Sequence, residues 1–178
     1  MIKGWCILGF KRSDDVRTEL YRFNEGSLQT RLQAYERGTC MEQWKILMRA
    51  TIDAFQSAHY YTALELAEKA LNIATLDLNR PCNCDADKKV AAVMVSHFNL
   101  ADTYVALQQF EEAAHIFEDA REYLTEVISK DQFHDIKKVA ALKAGGYLQQ
   151  EWLLFQKKHQ TQLCKNVSQA HLAVSQLH

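Results

Sequence analysis

One proline and six glycines in 178 residues leave little to break a chain. That scarcity excludes collagen-like and low-complexity sequences, and it speaks against a β-rich fold, which needs turn residues at short intervals. No apolar run approaches the roughly 18 residues of a membrane span; Val90 to Val95 is a typical stretch. The net charge of -1 lacks the basic excess that nucleic acid or an anionic membrane surface would require. Cysteines are five, an odd number at irregular positions (Cys6, Cys40, Cys82, Cys84, Cys164), so no secreted disulfide framework is expected. Lys3 and the apolar stretch Gly4 to Phe10 end at Lys11 and Arg12 without a small-residue cleavage site, which is not a signal-peptide pattern. The expectation is a cytoplasmic chain with reduced thiols.

What is present favours helices. Hydrophobic residues make up 48%, enough for a sizeable core, and Leu, Ala, Gln, Glu and Lys are abundant. Residues 1–40 stand apart, with seven Lys/Arg against five Asp/Glu and no regular pattern beyond Val16, Leu20, Phe23 and Leu28, Leu32, Tyr35 behind Ser13 and Ser27. They read as a poorly structured or short-helical arm, either mobile or the product of an overlong gene start. From Met41 the periodicity is helical. Trp44, Leu47, Met48, Thr51, Ala54 and Phe55 form one stripe, and Ala63, Leu64, Ala67, Ala70, Leu71 and Ala74 a second. Leu78 to Asp85, with Pro81 and two Asn, is the one clear loop, and Asp85 or Asp87 is placed to cap the next helix. A third stripe runs from Val90 to Val105. A fourth helix covers Phe110 to Ile128, a long one about 133–159, and a weak one about 163–177.

Sliding the sequence by 50 positions superimposes two of these hairpins. Ala50 falls on Leu100, Thr51 on Ala101, Ala54 on Tyr104, Tyr60 on Phe110, Ala63 on Ala113, Ala67 on Phe117 and Ala70 on Ala120. The second copy, with Leu100, Ala101, Tyr104, Phe110, Ala113, Phe117 and Ala120, resembles the tetratricopeptide-repeat (TPR) motif, and the first copy follows it more loosely. The period exceeds the family's usual length of about 34 residues because the Leu76–Lys89 connection is longer. The terminal proline of the motif is missing from both copies, and Ala144-Gly-Gly-Tyr147 is only a fragment of a third. Met41-Glu-Gln-Trp44 and the helices after it also look like a small bacterial family of TPR-like proteins of unknown function. The resemblance implies an all-α fold of about two antiparallel helix hairpins, closed by a long C-terminal capping helix. Its domain would span 41–160, followed by a weakly helical tail, 161–178.

In TPR proteins the first helix of each hairpin lines a concave face that holds peptides. By the resemblance, that face here comprises Lys45, Met48, Ile52 and Phe55, then Val95, Phe98, Asn99, Asp102 and Val105. Of the family's carboxylate clamp only Asn99 is matched, since Met48 and Ile52 stand at polar clamp positions. The groove is expected to be apolar and to suit an amphipathic helix, or to be filled by the chain's own terminal helices.

Other candidates carry less. Cys82 and Cys84 are two thiols where a closed zinc site needs four ligands; His159, Cys164 and His171 are too spread along a helix. Gly145 and Gly146 sit inside a helical pattern, as a close helix crossing or a kink would require, not at a phosphate loop. His97 reads as a core residue. With no nucleophile elbow, HExxH or paired carboxylates, neither catalytic residues nor a metal or cofactor is expected. The function expected is a scaffold for another protein or peptide, or self-association into a homodimer, without nucleic acid or membrane.

Overall fold

The computed structural model describes residues 39–80, 85–130 and 135–175, with side chains as far as residue 160. The expected arm therefore lies almost wholly outside the described residues, as do Cys6, Cys82 and Cys84. Five helices make up the described chain: α1 (Cys40–Gln56), α2 (Tyr60–Asn79), α3 (Ala86–Ala106), α4 (Phe110–Ser129) and α5 (Asp135–Ser175). No strand occurs among the described residues. The architecture is all-α, as composition and periodicity predict. Each helix packs on the one before it, and α5 packs on both α3 and α4.

The two hairpins repeat in geometry as well as in sequence. α2 and α4 each have 20 residues and start 50 positions apart. Their buried rows correspond: Ala63, Ala67 and Ala70 in one, Ala113, Phe117 and Ala120 in the other. Small side chains at the crossings bring the helix axes close, so backbone packs nearly on backbone. Both turns close in the same way. His59 N–H donates to the Ala54 carbonyl and Ala58 N–H to Phe55, at 2.9 and 3.0 Å. Gln109 N–H donates to Tyr104 and Gln108 N–H to Val105 at the same distances. This crossed pair satisfies the last carbonyls of a helix and puts the residue between in the left-handed region. Ala58 (φ 59°) and Gln108 (φ 62°) occupy it, where glycine would be free of steric cost.

α1 starts at the predicted break. Thr39 is its N-cap, accepting from the Glu42 N–H at 3.3 Å. Trp44 is buried at 1% exposure, and its indole N–H donates to Ser96 Oγ at 2.9 Å, which joins α1 to α3. Asp85 does occupy the N-cap position of α3, but in a left-handed conformation and without a side-chain capping bond; its carboxylate faces Lys88 at 3.6 Å instead. The carboxyl end of α2 is buried and receives two lysines. Lys89 of α3 donates to the Asp77 carbonyl at 3.2 Å and lies 3.7 Å from its carboxylate. Lys137 of α5 donates to the Leu78 and Arg80 carbonyls at 2.7 and 2.6 Å.

The expected cap and weak final helix are one element. α5 is a single helix of 41 residues. No residue near 160 is a proline or glycine, so the backbone has no cause to stop there.

Gln108→Gly and Ala58→Gly should each stabilise the protein by about 0.5–1 kcal/mol, because a left-handed residue loses its Cβ clash. In chains of this size that is a rise of about 2–4 °C in Tm per kcal/mol. Thermal melts followed by circular dichroism would show it, and unchanged or lower values would mean the turns do not take this conformation in solution.

Candidate functional site

The residues expected on the concave face divide into two groups. Met48 and Phe98 are interior, 1% and 6% exposed. Met48 lies against the Ser96 hydroxyl at 3.7 Å, and Phe98 against the Phe117 ring at 6.1 Å. They are packing residues of the α1–α3 and α3–α4 contacts and offer nothing to a ligand. The other seven are half-buried. Lys45 pairs with Glu42 at 3.1 Å, Asn99 donates to the Val95 carbonyl at 2.8 Å, and Phe55 meets Tyr60 edge-on at 5.4 Å. Asp102 and Val105 share a cleft of about 40 Å³ with Leu154, Lys158 and His159 of α5. With Met48 and Phe98 buried, Ile52, Phe55, Val95 and Val105 remain half-buried on this face beside Lys45, Asn99 and Asp102, so it is mixed in polarity.

A groove lined mostly by apolar side chains lies between α4 and α5. Its volume is about 380 Å³. Phe117, Leu124 and Ile128 line it from α4, and Ala141, Leu142, Leu148 and Trp152 from α5. Glu118, Arg121, Thr125 and Gln149 give it a polar rim. Aromatic rings pack at its floor: the Phe117 ring lies 5.5 Å from Trp152 and 5.2 Å from Phe155. Leu142 is 60% exposed on the groove edge. Gly145 also lines the groove, and a Cβ built on it would meet nothing within 4 Å. A glycine in a helix interior costs about 1 kcal/mol relative to alanine. No part of the described chain crosses closely enough there to require one.

The sequence signals for this groove were present but dispersed. Gly145 suggests a close crossing, and Leu142 and Trp152 flank it at helical spacing. What was not legible was that α5, packed on the second hairpin as expected, leaves this side uncovered.

The remaining candidates are interior. His97 is buried at 5% exposure, with Nδ1 2.9 Å from the Val93 carbonyl and its ring 6.4 Å from Tyr123. Burial lowers its pKa below the ordinary value, while the Val93 carbonyl and the Asp119 charge oppose the shift. Burial likewise pushes the Tyr123 phenol up to about 12, with Thr75 opposing. His159 stacks on Phe110 at 4.9 Å and meets the Phe155 ring at a tilt at 5.2 Å, and its pKa is lowered by burial and by Lys158. Among the described residues, no three His, Cys, Asp or Glu side chains gather where they would hold a metal ion. Among them, too, no helix is long and apolar enough to cross a membrane.

Comparison with known proteins gives one match: a family described as a protein of unknown function (DUF2753), over residues 42–177. No curated protein and no solved structure matches the chain.

The lowered His97 pKa has a definite sign in stability. Below pH 6.5, the ordinary value, the unfolded chain takes up a proton that the buried imidazole still refuses. Stability should therefore fall as pH drops from about 6.5 toward the folded-state pKa, by up to about 1.4 kcal/mol per pH unit for one group. Urea midpoints between pH 7 and 5 would follow it. His97→Gln should remove part of the slope and leave the share due to His159; an unchanged slope would show that His97 titrates normally.

Proposed function

We propose that this chain, which belongs to the DUF2753 family, is a TPR-type interaction module that holds an amphipathic helix of a protein partner in the groove between α4 and α5. The reading does not involve catalysis, cofactor or metal, and it takes the protein to act in the cytoplasm. The observation that carries it is the coincidence of an apolar groove with a helix-interior glycine facing open space. Helix-in-groove recognition needs an apolar floor, a polar rim and a point of close approach, and these are the features of α4 and α5. The groove also stands where a further repeat would lay its second helix. α5 packs on α3 and α4 as the first helix of a third hairpin would, and among the described residues nothing follows to cover it. A partner helix would complete the stack, as each repeat unit needs a neighbour to bury its apolar side.

Two substitutions test the site without disturbing the fold. A photoreactive side chain at Gln149, on the groove rim, should yield a covalent protein adduct in cells; the same probe at Glu111, exposed on the opposite end of α4, should not. Gly145→Leu should abolish the Gln149 adduct by filling the groove, while raising stability by up to about 1 kcal/mol as a glycine leaves a helix interior. Equal adduct yields from Gln149 and Glu111, or an adduct that survives Gly145→Leu, would overturn the assignment.

A further inference from the structure

We infer that the outer side of α5 is a second interface, through which two copies of the chain pair antiparallel about a two-fold axis at Gly146. This surface meets the groove along the edge at Leu142, and the inference does not rest on the groove reading.

The first observation is where apolar surface stays uncovered. Of the eight large hydrophobic side chains exposed among the described residues, six belong to α5: Ile136, Val139, Leu142, Tyr147, Leu153 and Leu154, 39–60% exposed. The inner side of the helix is fully used, with Lys137, Ala141, Ala144, Leu148 and Phe155 buried against the body. At about 100° per residue, Val139, Leu142, Gly146 and Leu153 form a strip turned about 180° from that buried row. Apolar side chains gathered on the outer face of a helix mark a contact surface.

The second observation is Gly146, exposed in the middle of the strip. A Cβ built on it would meet nothing within 4 Å, and it does not take a positive φ. The chain's own fold therefore gives no reason for a residue that costs about 1 kcal/mol relative to alanine in a helix interior. A second helix crossing at this point does give one, because two axes approach more closely where a Cβ is missing.

The third observation is that the strip fits itself. Laid antiparallel on a copy of itself about Gly146, it sets Val139 against Leu153 and Leu142 against the stem of Gln150, once on each side of the axis. The same register sets Asp135 against Lys157 at both ends. Both are exposed, and both fall within the sector of about 80° that holds the apolar strip. Opposite charges at the two ends fix the direction, since a parallel pair in register would set like charge against like. A partner of another sequence would have no use for this symmetry, whereas a second copy supplies it. The contact is isologous, so one surface serves both copies and the assembly closes at two. Because the strip faces away from α3 and α4, the two bodies stand on opposite sides of the paired helices and do not collide. Roughly 500 Å² of apolar surface per copy, about 1,000 Å² in all, reaches the lower bound for a specific interface, so the dimer is a weak one.

Sedimentation velocity of the full chain decides the matter. The wild type should pass from the chain mass of 20.5 kDa to twice that mass as concentration rises through the micromolar range, and the dimer should loosen between low and moderate salt. Val139→Glu with Leu153→Glu should give monomers with unchanged helical circular dichroism, and so should Gly146→Leu. Gly145→Leu, about 100° round the helix on the groove side, should leave the dimer intact. Charge reversal reads the register. Asp135→Lys and Lys157→Asp should each weaken pairing by about tenfold, as two exposed ion pairs turn repulsive. An equimolar mixture of these two variants should recover the wild-type affinity, because each reversed end then meets its opposite. A wild-type monomer at every concentration would overturn the inference, as would a dimer that survives Val139→Glu with Leu153→Glu, or charge variants that fail to complement. None of these outcomes touches the groove reading, which stands or falls on the Gln149 adduct with another protein.

Discussion

Two ammonium groups meet at the carboxyl end of α2, and the position of the last helix depends on them. The final carbonyls of a helix have no partners within it and carry the negative end of its dipole. Here Asp77 and Leu78 of the last turn are buried, 8% and 0% exposed, while Asn79 after them is exposed, so it is at these two residues that water is kept away. Lys89 reaches it from α3 and Lys137 from α5, both themselves buried. Burial lowers the Lys137 pKa and the Lys89 charge adds to that, while Asp77 opposes both. Each lysine is tolerable in the interior only because the carbonyls are there, and the carbonyls only because the lysines are. The cluster thus fastens α2, α3 and α5 at one point and aims the start of α5 along α3 and α4.

From that point the groove follows. α5 packs on α3 and α4, with Phe155 and His159 against Phe117 and Phe110. A helix in that position covers the end of the second hairpin on one side and leaves its own far side uncovered. In a longer repeat array the next helix would turn back onto it. Here α5 continues straight for 41 residues.

Helix existence and the 50-residue repeat were legible because both rest on local chemistry. Apolar spacing, scarce breakers and alanines at Ala63, Ala70, Ala113 and Ala120 describe helices that must approach closely whatever surrounds them. The same holds for Trp44, whose size and position demand burial. The concave residues were legible only in part. Spacing puts Met48 and Phe98 in one row with Lys45, Ile52, Asn99 and Asp102, but a row a residue wide straddles the boundary between packing and solvent. Which side of that boundary each falls on depends on the neighbouring helix, and α3 and α4 take Met48 and Phe98 inside.

By itself, then, the amino-acid sequence determined an all-helical chain, its two hairpins and the breaks near 57–60 and 108–109. Each is set by interactions within a few residues or by a period repeated along the chain. The tertiary structure alone decided that Lys89 and Lys137 point inward and that a groove stays open between α4 and α5. These depend on contacts between residues such as Lys137 and Leu78, 59 positions apart, and on which helix face remains after all others are covered. No local pattern encodes that remainder, because it is fixed by the packing of the whole.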